Sequence, residues 1–360
     1  MLPPRVTPPP HGATISSDKA RGLFVIILLL GAPCVAGSDA QEGPSVALAY
    51  VRSFGKHGDS DGSHVRPTHT IALHEEAGTE TLLVVDNGNG RVIKLRDGKQ
   101  VATFGTGEGK DSLETPTAIA VDGNMLAVTD TQTHRVIVYN LKTGDFIRAV
   151  GNEEVLSHPI SLHIHGNELW VVEYKGHRLA VLDFTTGELI RRVGEGGHLT
   201  EPRDLAFVGD EVVVTDTGSD RLVVFSQLGE FRRTLGAGQT GEGKKQFRQP
   251  YGVDVIPSLA PGGGDALIVS DYKAQNGAVH IVDPATGAEL TDQLKFIIEP
   301  DGTKRVIGGL NFIHVDMPSM RAFVGCMQTH QVHELTFDPA KAERLKAEQL
   351  EAYRRRKEEL

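Results

Sequence analysis

Side chains capable of acid, base or anion-binding chemistry stand just after the start of several short apolar segments. They are His69 in PTHTIAL, Thr117 in PTAIAV, Arg203 and Asp204 in PRDLAF, Tyr251 in PYGVDV and Asn311 in LNFIHV. Two tyrosines, Tyr174 and Tyr272, each follow an acidic residue that ends a neighbouring apolar segment. Because an arginine can hold a carboxylate through two parallel hydrogen bonds, the sequence predicts these residues as ligand-binding candidates.

The histidines of the chain also suggest metal chemistry. His134, His177 and His330 share one position in a repeated phrase, but Asp220 and Gly90 occupy that position in other copies. A position that accepts His, Asp and Gly is typical of a turn. We therefore predict a structural role for these histidines.

A second polar set falls in the middle of apolar segments. It comprises His163, Asp254 and His314, at the position where we expect Ala72, Ala120 and Ala206 in the other copies. Buried polar groups must find hydrogen bonds, so a core network is predicted, with a ligand-facing cluster as the alternative.

The segments belong to an internal repeat. An apolar triplet follows Pro67, Pro116, Pro159, Pro202 and Pro250, at intervals of 43 to 49 residues, and Leu310 takes the place of the proline in a sixth copy. Repeats of about 40 to 50 residues made of short strands are typical of β-propeller blades. Strand openings and central hairpin turns are expected to meet at one face, around the mouth of the channel, where loops carry functional groups.

Each copy contains a phrase such as VTDTQTHRVIVY or VTDTGSDRLVVF. An acidic residue ends its first strand, and an arginine follows five positions later in four copies. The pairs are Asp86 with Arg91, Asp130 with Arg135, Glu173 with Arg178, and Asp216 with Arg221. Such a pair predicts a charge-assisted contact across the turn of a hairpin.

These phrases, with PYGVDV, resemble the NHL-repeat family over about residues 46–338. The resemblance implies an all-β, six-bladed NHL-type β-propeller. A more distant resemblance is to the peptidyl-hydroxyglycine amidating lyase propeller. That family takes zinc ligands from Pro-His pairs, but Thr68, Thr117 and Arg203 follow three of the prolines here. We therefore expect no cofactor, with zinc or calcium in a metal-dependent lyase or hydrolase as the alternative.

The ends of the chain predict closure and export. Residues 46–55 are expected to supply the fourth strand of the last blade, within a propeller spanning residues 41–338. Residues 1–40 resemble a signal peptide with a Pro-rich leader, or alternatively a signal anchor. Residues 339–360 predict a charged helix, expected to be largely solvated, whose last four residues, KEEL, resemble an endoplasmic reticulum retrieval signal.

The charge of the chain limits its partners. A net charge of −10 disfavours nucleic acid, which usually requires a basic surface. We expect a binding or scaffold module in the endoplasmic reticulum lumen or secreted, with no membrane span once the signal is removed. Its partner would be a protein, peptide or small polar ligand at the channel face.

Overall fold

Each copy of the repeat folds into an antiparallel sheet, and six such sheets form the blades of a β-propeller. The structure is a computed structural model. It describes residues 49–54, 67–74, 80–97, 99–236, 246–272, 278–291, 294, 296–298, 304–306, 309–327 and 329–359. The predicted all-β, six-bladed fold is confirmed. The predicted signal segment lies outside the described residues.

Strand β1 (Ala49–Phe54) precedes the first blade. Blade 1 contains β2 (Pro67–His74), β3 (Glu80–Asp86), β4 (Arg91–Arg96) and β5 (Lys99–Phe104). Blade 2 contains β6 (Pro116–Asp122), β7 (Met125–Asp130), β8 (Arg135–Asn140) and β9 (Phe146–Val150). Blade 3 contains β10 (Pro159–His165), β11 (Glu168–Glu173), β12 (Arg178–Asp183) and β13 (Leu189–Val193).

Blade 4 contains β14 (Pro202–Val208), β15 (Glu211–Asp216), β16 (Arg221–Ser226) and β17 (Phe231–Leu235). Blade 5 contains β18 (Pro250–Ala260), β19 (Gly264–Asp271) and β20 (Ala278–Val282), and a hairpin of β21 (Phe296–Ile298) and β22 (Lys304–Val306) follows it. Blade 6 contains β23 (Leu310–Asp316), β24 (Arg321–Cys326) and β25 (Gln331–Thr336), before helix α1 (Pro339–Glu359). Single 3₁₀ turns span Asn87–Asn89, Gly109–Asp111, Thr131–Thr133, Thr217–Ser219, Pro261–Gly263 and Met317–Ser319.

The innermost strand of every blade is bulged just after its first residue. In blade 4 the pairing passes from Pro202 with Asp216 directly to Leu205 with Val214, so Arg203 and Asp204 lie outside the regular ladder. The same shift follows the first residue of the other five inner strands. Bulges re-aim side chains and are frequent beside functional sites. The bulges therefore take the residues that follow the first position of each inner strand, among them several candidates identified in the sequence, out of the regular ladder.

The predicted acid–arginine pairs form across the central hairpins. Arg91 Nε lies 2.8 Å from Asp86, and the Arg178–Glu173 and Arg221–Asp216 contacts are both 2.7 Å. In the fourth pair, Arg135 lies 3.5 Å from Asp130. Since the carboxylates are fully buried, the arginines offset the cost of removing their charge from water.

In blade 5 a histidine, rather than an arginine, contacts the buried acid that ends the second strand. His280 is buried on β20, with Nδ1 2.7 Å from Glu289 and Nε2 3.6 Å from Asp271. Burial alone lowers the pKa of His280, but the two carboxylates outweigh burial and raise it. Ala278 stands where four other blades have arginine, and the titratable His280, two residues further along β20, contacts the acid instead.

Neighbouring blades are joined by buried hydroxyl groups. Thr131 Oγ1 donates to the Pro159 carbonyl of the next blade at 2.8 Å, and Thr215 Oγ1 donates to the Tyr251 carbonyl at 2.8 Å. The apolar core is continuous with these contacts: Trp170, fully buried, packs edge-on against Phe207 of blade 4 at 5.4 Å. The inner strands are therefore held in fixed register around the channel.

Strand β1 lies beside the last strand of blade 6. Strand β1 pairs antiparallel with β25, from Ala49 opposite Thr336 to Phe54 opposite Val332. Asp338 Oδ1 accepts a hydrogen bond from the Lys341 amide at 3.0 Å, as expected of an N-cap.

The described side chains of helix α1 are mostly exposed or partly exposed, as its composition predicts, with one exception. Ala342 is fully buried and packs with the partly buried Leu345, where the first turns of the helix lie against β1. Two i,i+4 ion pairs lie along the helix, Arg344 with Glu348 at 3.9 Å and Glu351 with Arg355 at 3.6 Å. Within the described part of the chain, no helix has the length and apolar character needed to cross a membrane.

Candidate functional site

The channel mouth contains an arginine flanked by aromatic rings from the neighbouring blades. Arg203, the second residue of β14, has its guanidinium carbon 4.0 Å from the Tyr174 ring centroid and 4.9 Å from that of Tyr251. Its Nη1 donates to the Tyr251 hydroxyl at 3.2 Å. Cation–π contacts of this kind fix the position of a guanidinium without neutralising its charge. We call Tyr174, Arg203, Tyr251 and Tyr272 the mouth cluster.

The positive charge of Arg203 is not balanced by its neighbours. Burial raises the pKa of Tyr251, so its hydroxyl is neutral at physiological pH. Arg203 Nε is buried and has no hydrogen-bond acceptor, and no described carboxylate lies within salt-bridge distance of the guanidinium. The hairpin arginines, by contrast, all contact acids. Arg203 therefore retains unused donors at the mouth.

Two further rings extend this aromatic surface. Tyr272, which follows β19, lies 5.5 Å from the Tyr251 ring, and Phe312, the third residue of β23, lies 5.2 Å from it in a T-shaped contact. Phe312 is fully buried and supports Tyr251 from blade 6. Sequence reasoning missed Phe312, although its place in the bulge beside Asn311 was a usable signal.

Asp204 serves a different purpose from Arg203, its neighbour in the bulge. Its Oδ1 accepts a hydrogen bond from Ser161 Oγ at 2.6 Å, and its Oδ2 accepts one from the Val253 amide at 3.0 Å. The carboxylate therefore ties blades 3, 4 and 5 together. Its oxygens are occupied by these bonds and by His163 at 3.5 Å, rather than directed to Arg203.

His69 makes the equivalent tie between blades 1 and 2. Its Nδ1 accepts a hydrogen bond from the Ile119 amide at 3.2 Å, and its ring lies 5.4 Å from Phe312. Burial, together with the nearby His314 and His163, lowers the pKa of His69 to about 3. The ring is therefore neutral at physiological pH, as an acceptor at Nδ1 requires.

The mid-strand polar residues form two further ties around the axis. His314 Nδ1 lies 3.4 Å from Asp254, whose Oδ2 also accepts a hydrogen bond from the Val315 amide of blade 6 at 2.8 Å. Burial favours the neutral acid, but His314 and the backbone amides outweigh it and lower the pKa of Asp254. The pKa of His163 is raised, because Asp204 and Asp254 outweigh the effect of its burial. These contacts form a polar network, but its side chains His163, Asp254 and His314 are 24–28% exposed, so the ligand-facing alternative stays a prediction.

The strand register corrects one expected equivalence. Ile71 pairs with Leu83 exactly three positions before Asp86, as His163 pairs with Trp170 three positions before Glu173. Ile71, not Ala72, is therefore the blade 1 counterpart of His163. Counting four residues from the opening proline gives Ile71 from Pro67 just as it gives His163 from Pro159, so the sequence already carried the correct alignment.

The remaining predicted candidates lie away from the mouth cluster. Thr117 is buried, and its hydroxyl contacts those of Thr129 and Thr131, both at 2.9 Å, within blade 2. Asn311 is fully buried in blade 6. The structure thus brings Tyr174, Arg203, Tyr251 and Tyr272 together, and places His69, Thr117, Asp204 and Asn311 among the contacts that hold the blades.

The turn histidines accept hydrogen bonds from the backbone of the next blade. His134 and His177 adopt left-handed backbone conformations, and their Nδ1 atoms accept hydrogen bonds from the His158 and Glu201 amides of the next blade. In blade 4, Asp220 Oδ1 accepts one from Gln249 in the same way, at 2.9 Å. The predicted structural role of this position is consistent with these contacts.

Metal ligation has no assembled donor set in the part of the chain that the structure describes. There, no three His, Cys, Asp or Glu side chains lie close enough to hold one ion. His69 and Asp204 instead accept hydrogen bonds from backbone amides. The described residues therefore do not fit the zinc or calcium alternative.

Of the comparisons with known proteins, only the one with solved structures supports the fold. No protein-family model matches the chain, and no curated protein matches its sequence. Among solved structures, the chain is similar to Kuenenia stuttgartiensis hydrazine synthase, with a TM-score of 0.53 and 17% identity, over 84% of this chain and 86% of that one. At this identity the likeness supports the propeller architecture alone.

Proposed function

We propose that the chain is a propeller binding module whose channel mouth holds a ligand through a negatively charged group. The main support is the environment of Arg203. Two tyrosine rings fix its guanidinium, but none of its described contacts is a carboxylate. A carboxylate or similar anion would balance the guanidinium charge that its described neighbours leave unpaired. Charge-assisted hydrogen bonds of this type are the strong class in proteins.

The mouth cluster also favours a ligand with a flat or apolar body beside its charge. Tyr174, Tyr251 and Tyr272 are all partly exposed; the first two contact the guanidinium, and Tyr272 lies beside Tyr251. Aromatic walls with a few fixed polar groups are typical of small-molecule sites. A peptide or small polar ligand with an acidic group meets both requirements, in agreement with a binding or scaffold role.

We propose the type of repeat and the cellular location from the sequence. The PYGVDV and DTGSDRLVVF phrases support an NHL-type propeller, and residues 1–40 together with KEEL support a place in the secretory pathway. Microscopy of the full chain with an internal epitope tag, with and without KEEL, tests this. Retention that depends on KEEL supports the proposal, and a cytosolic signal contradicts it.

The binding proposal is tested with benzoate, which combines one carboxylate with an aromatic ring. Saturation-transfer NMR should detect benzoate on the wild-type protein and lose that signal in Arg203→Gln, because hydrogen bonds to charged groups contribute about 1.5–3 kcal/mol. Arg232→Gln is the matched control, since Arg232 is 47% exposed on the outer strand of the same blade.

Two results would contradict the proposal: benzoate binding that survives in Arg203→Gln, or equal loss in Arg232→Gln. Tyr251→Phe adds a finer check, since it keeps the ring and removes only the hydroxyl that accepts from Arg203. We expect Tyr251→Phe to retain binding. Emission from Trp170, the single tryptophan, verifies that each variant is folded.

A further inference from the structure

A second cation contacts the same tyrosine as Arg203. Lys175 Nζ lies 4.5 Å from the Tyr174 ring centroid, and the Arg203 guanidinium carbon lies 4.0 Å from it. The two charges are therefore separated by no more than these two distances taken together. Cations this close repel one another, and an anion between or beside them lowers that energy.

Lys175 is as lacking in acidic partners as Arg203. It is exposed in the turn after β11, and no described carboxylate lies within salt-bridge distance of it. Its neighbour Glu173 is fully buried and already contacts both Arg178 and Arg192. In a chain of net charge −10, this edge of the mouth is a local excess of positive charge.

His158 is a further titratable group at this edge of the mouth. His158 is partly buried just before β10, and its carbonyl accepts a hydrogen bond from the Tyr174 amide at 3.1 Å. Burial, His134 and the charge of Lys175 lower the pKa of His158. Burial is the largest of these causes and Lys175 the smallest, so His158 serves as a reporter of charge beside Lys175.

We propose that the ligand of the mouth cluster is a dianion, with one negative group on Arg203 and a second beside Lys175. This inference rests on the proposed anion-binding function and specifies its ligand class. The second group can be a carboxylate or belong to a doubly charged phosphate, because an ammonium recognises both as point charges. The pair of cations on one tyrosine selects for two charges rather than one.

Benzoate and isophthalate, its analogue with a second carboxylate on the same ring, test the proposal as a matched pair. NMR titrations of the full chain should give a dissociation constant about three to five times lower for isophthalate, the range of a partly exposed ion pair. Lys175→Gln should remove most of this advantage, because it weakens isophthalate binding more than benzoate binding. Phenyl phosphate, run in parallel, shows whether a phosphate dianion gains as much as a dicarboxylate.

Two readouts separate charge recognition from a structural effect. The advantage of isophthalate should shrink between 50 and 500 mM salt, because screening weakens exposed pairs. The His158 ring resonances should report a rise in its pKa when isophthalate binds. Arg232→Gln, which removes a cation elsewhere in blade 4, should leave the advantage intact.

The outcomes distinguish this inference from the function on which it rests. Equal affinities for benzoate and isophthalate, or equal weakening of both by Lys175→Gln, would overturn the dianion proposal. In either case the anion-binding function stands if Arg203→Gln still abolishes binding. Binding of both probes that is independent of Arg203 would overturn the function itself.

Discussion

Removing Arg221 should destabilise the propeller strongly, because it leaves a buried carboxylate without its counter-charge. Asp216 is fully buried, and its described partners are the Thr200 amide and Arg221 Nε at 2.7 Å. Breaking a buried ion pair from one side costs about 3–5 kcal/mol. Since Arg221 is 27% exposed, water can reach part of the site, and we expect about 3 kcal/mol for Arg221→Gln.

The assay is urea unfolding followed by the emission of Trp170, which is fully buried in the adjacent blade. Arg232→Gln is the control: its pair with Glu230 is exposed, at 3.6 Å, and should contribute less than about 1 kcal/mol. The double variant Asp216→Asn with Arg221→Gln should recover part of the loss, because it removes the stranded charge.

A loss below about 1 kcal/mol in Arg221→Gln would refute this reasoning. So would a double variant whose loss equals the sum of the single losses, since additive effects would mean that the two side chains do not interact. Either result would mean that the repeated acid and arginine are not an energetic unit of the blade.

Two further predictions concern blade 5. His280 has a raised pKa, so its contact with Asp271 and Glu289 should stabilise the fold fully below the unfolded value of about 6.5 and lose that effect as pH rises through the folded value. Chemical unfolding at several pH values from 6 to 9 should show this fall in the wild type and a flatter profile in His280→Gln; parallel profiles would contradict it. Gly252→Ala should cost about 1–3 kcal/mol, because its Cβ would lie 2.5 Å from the Ile313 amide nitrogen. Gly264→Ala, whose nearest contact is 3.8 Å away, is the control, and equal midpoints for the two variants would exclude a close approach of blades 5 and 6.

The fold was largely predictable because the repeat carries it. Evenly spaced prolines and the recurring acid and arginine indicated six blades, and the acid–arginine pairs form where the spacing placed them. His280 was not predictable. It lies nine residues after Asp271 rather than five, and Ala278 stands opposite that acid, so only the folded hairpin shows that His280 reaches it.

The site was predictable only in part. Arg203 and Tyr251 stood out because they depart from the small residues of blades 1 and 2, and they do meet at the mouth. His69 and Asp204 looked equally reactive in the sequence, but their hydrogen bonds to amides of the next blade make them structural. No local pattern distinguishes these roles, because each depends on a partner about 50 residues away.

The most direct test of an anion site at Arg203 is a crystal structure of the protein with isophthalate. We expect a carboxylate within about 3 Å of the guanidinium nitrogens, with the ligand ring against the tyrosines of the mouth cluster. An isophthalate bound elsewhere, with Arg203 still without an acidic contact, would contradict the account.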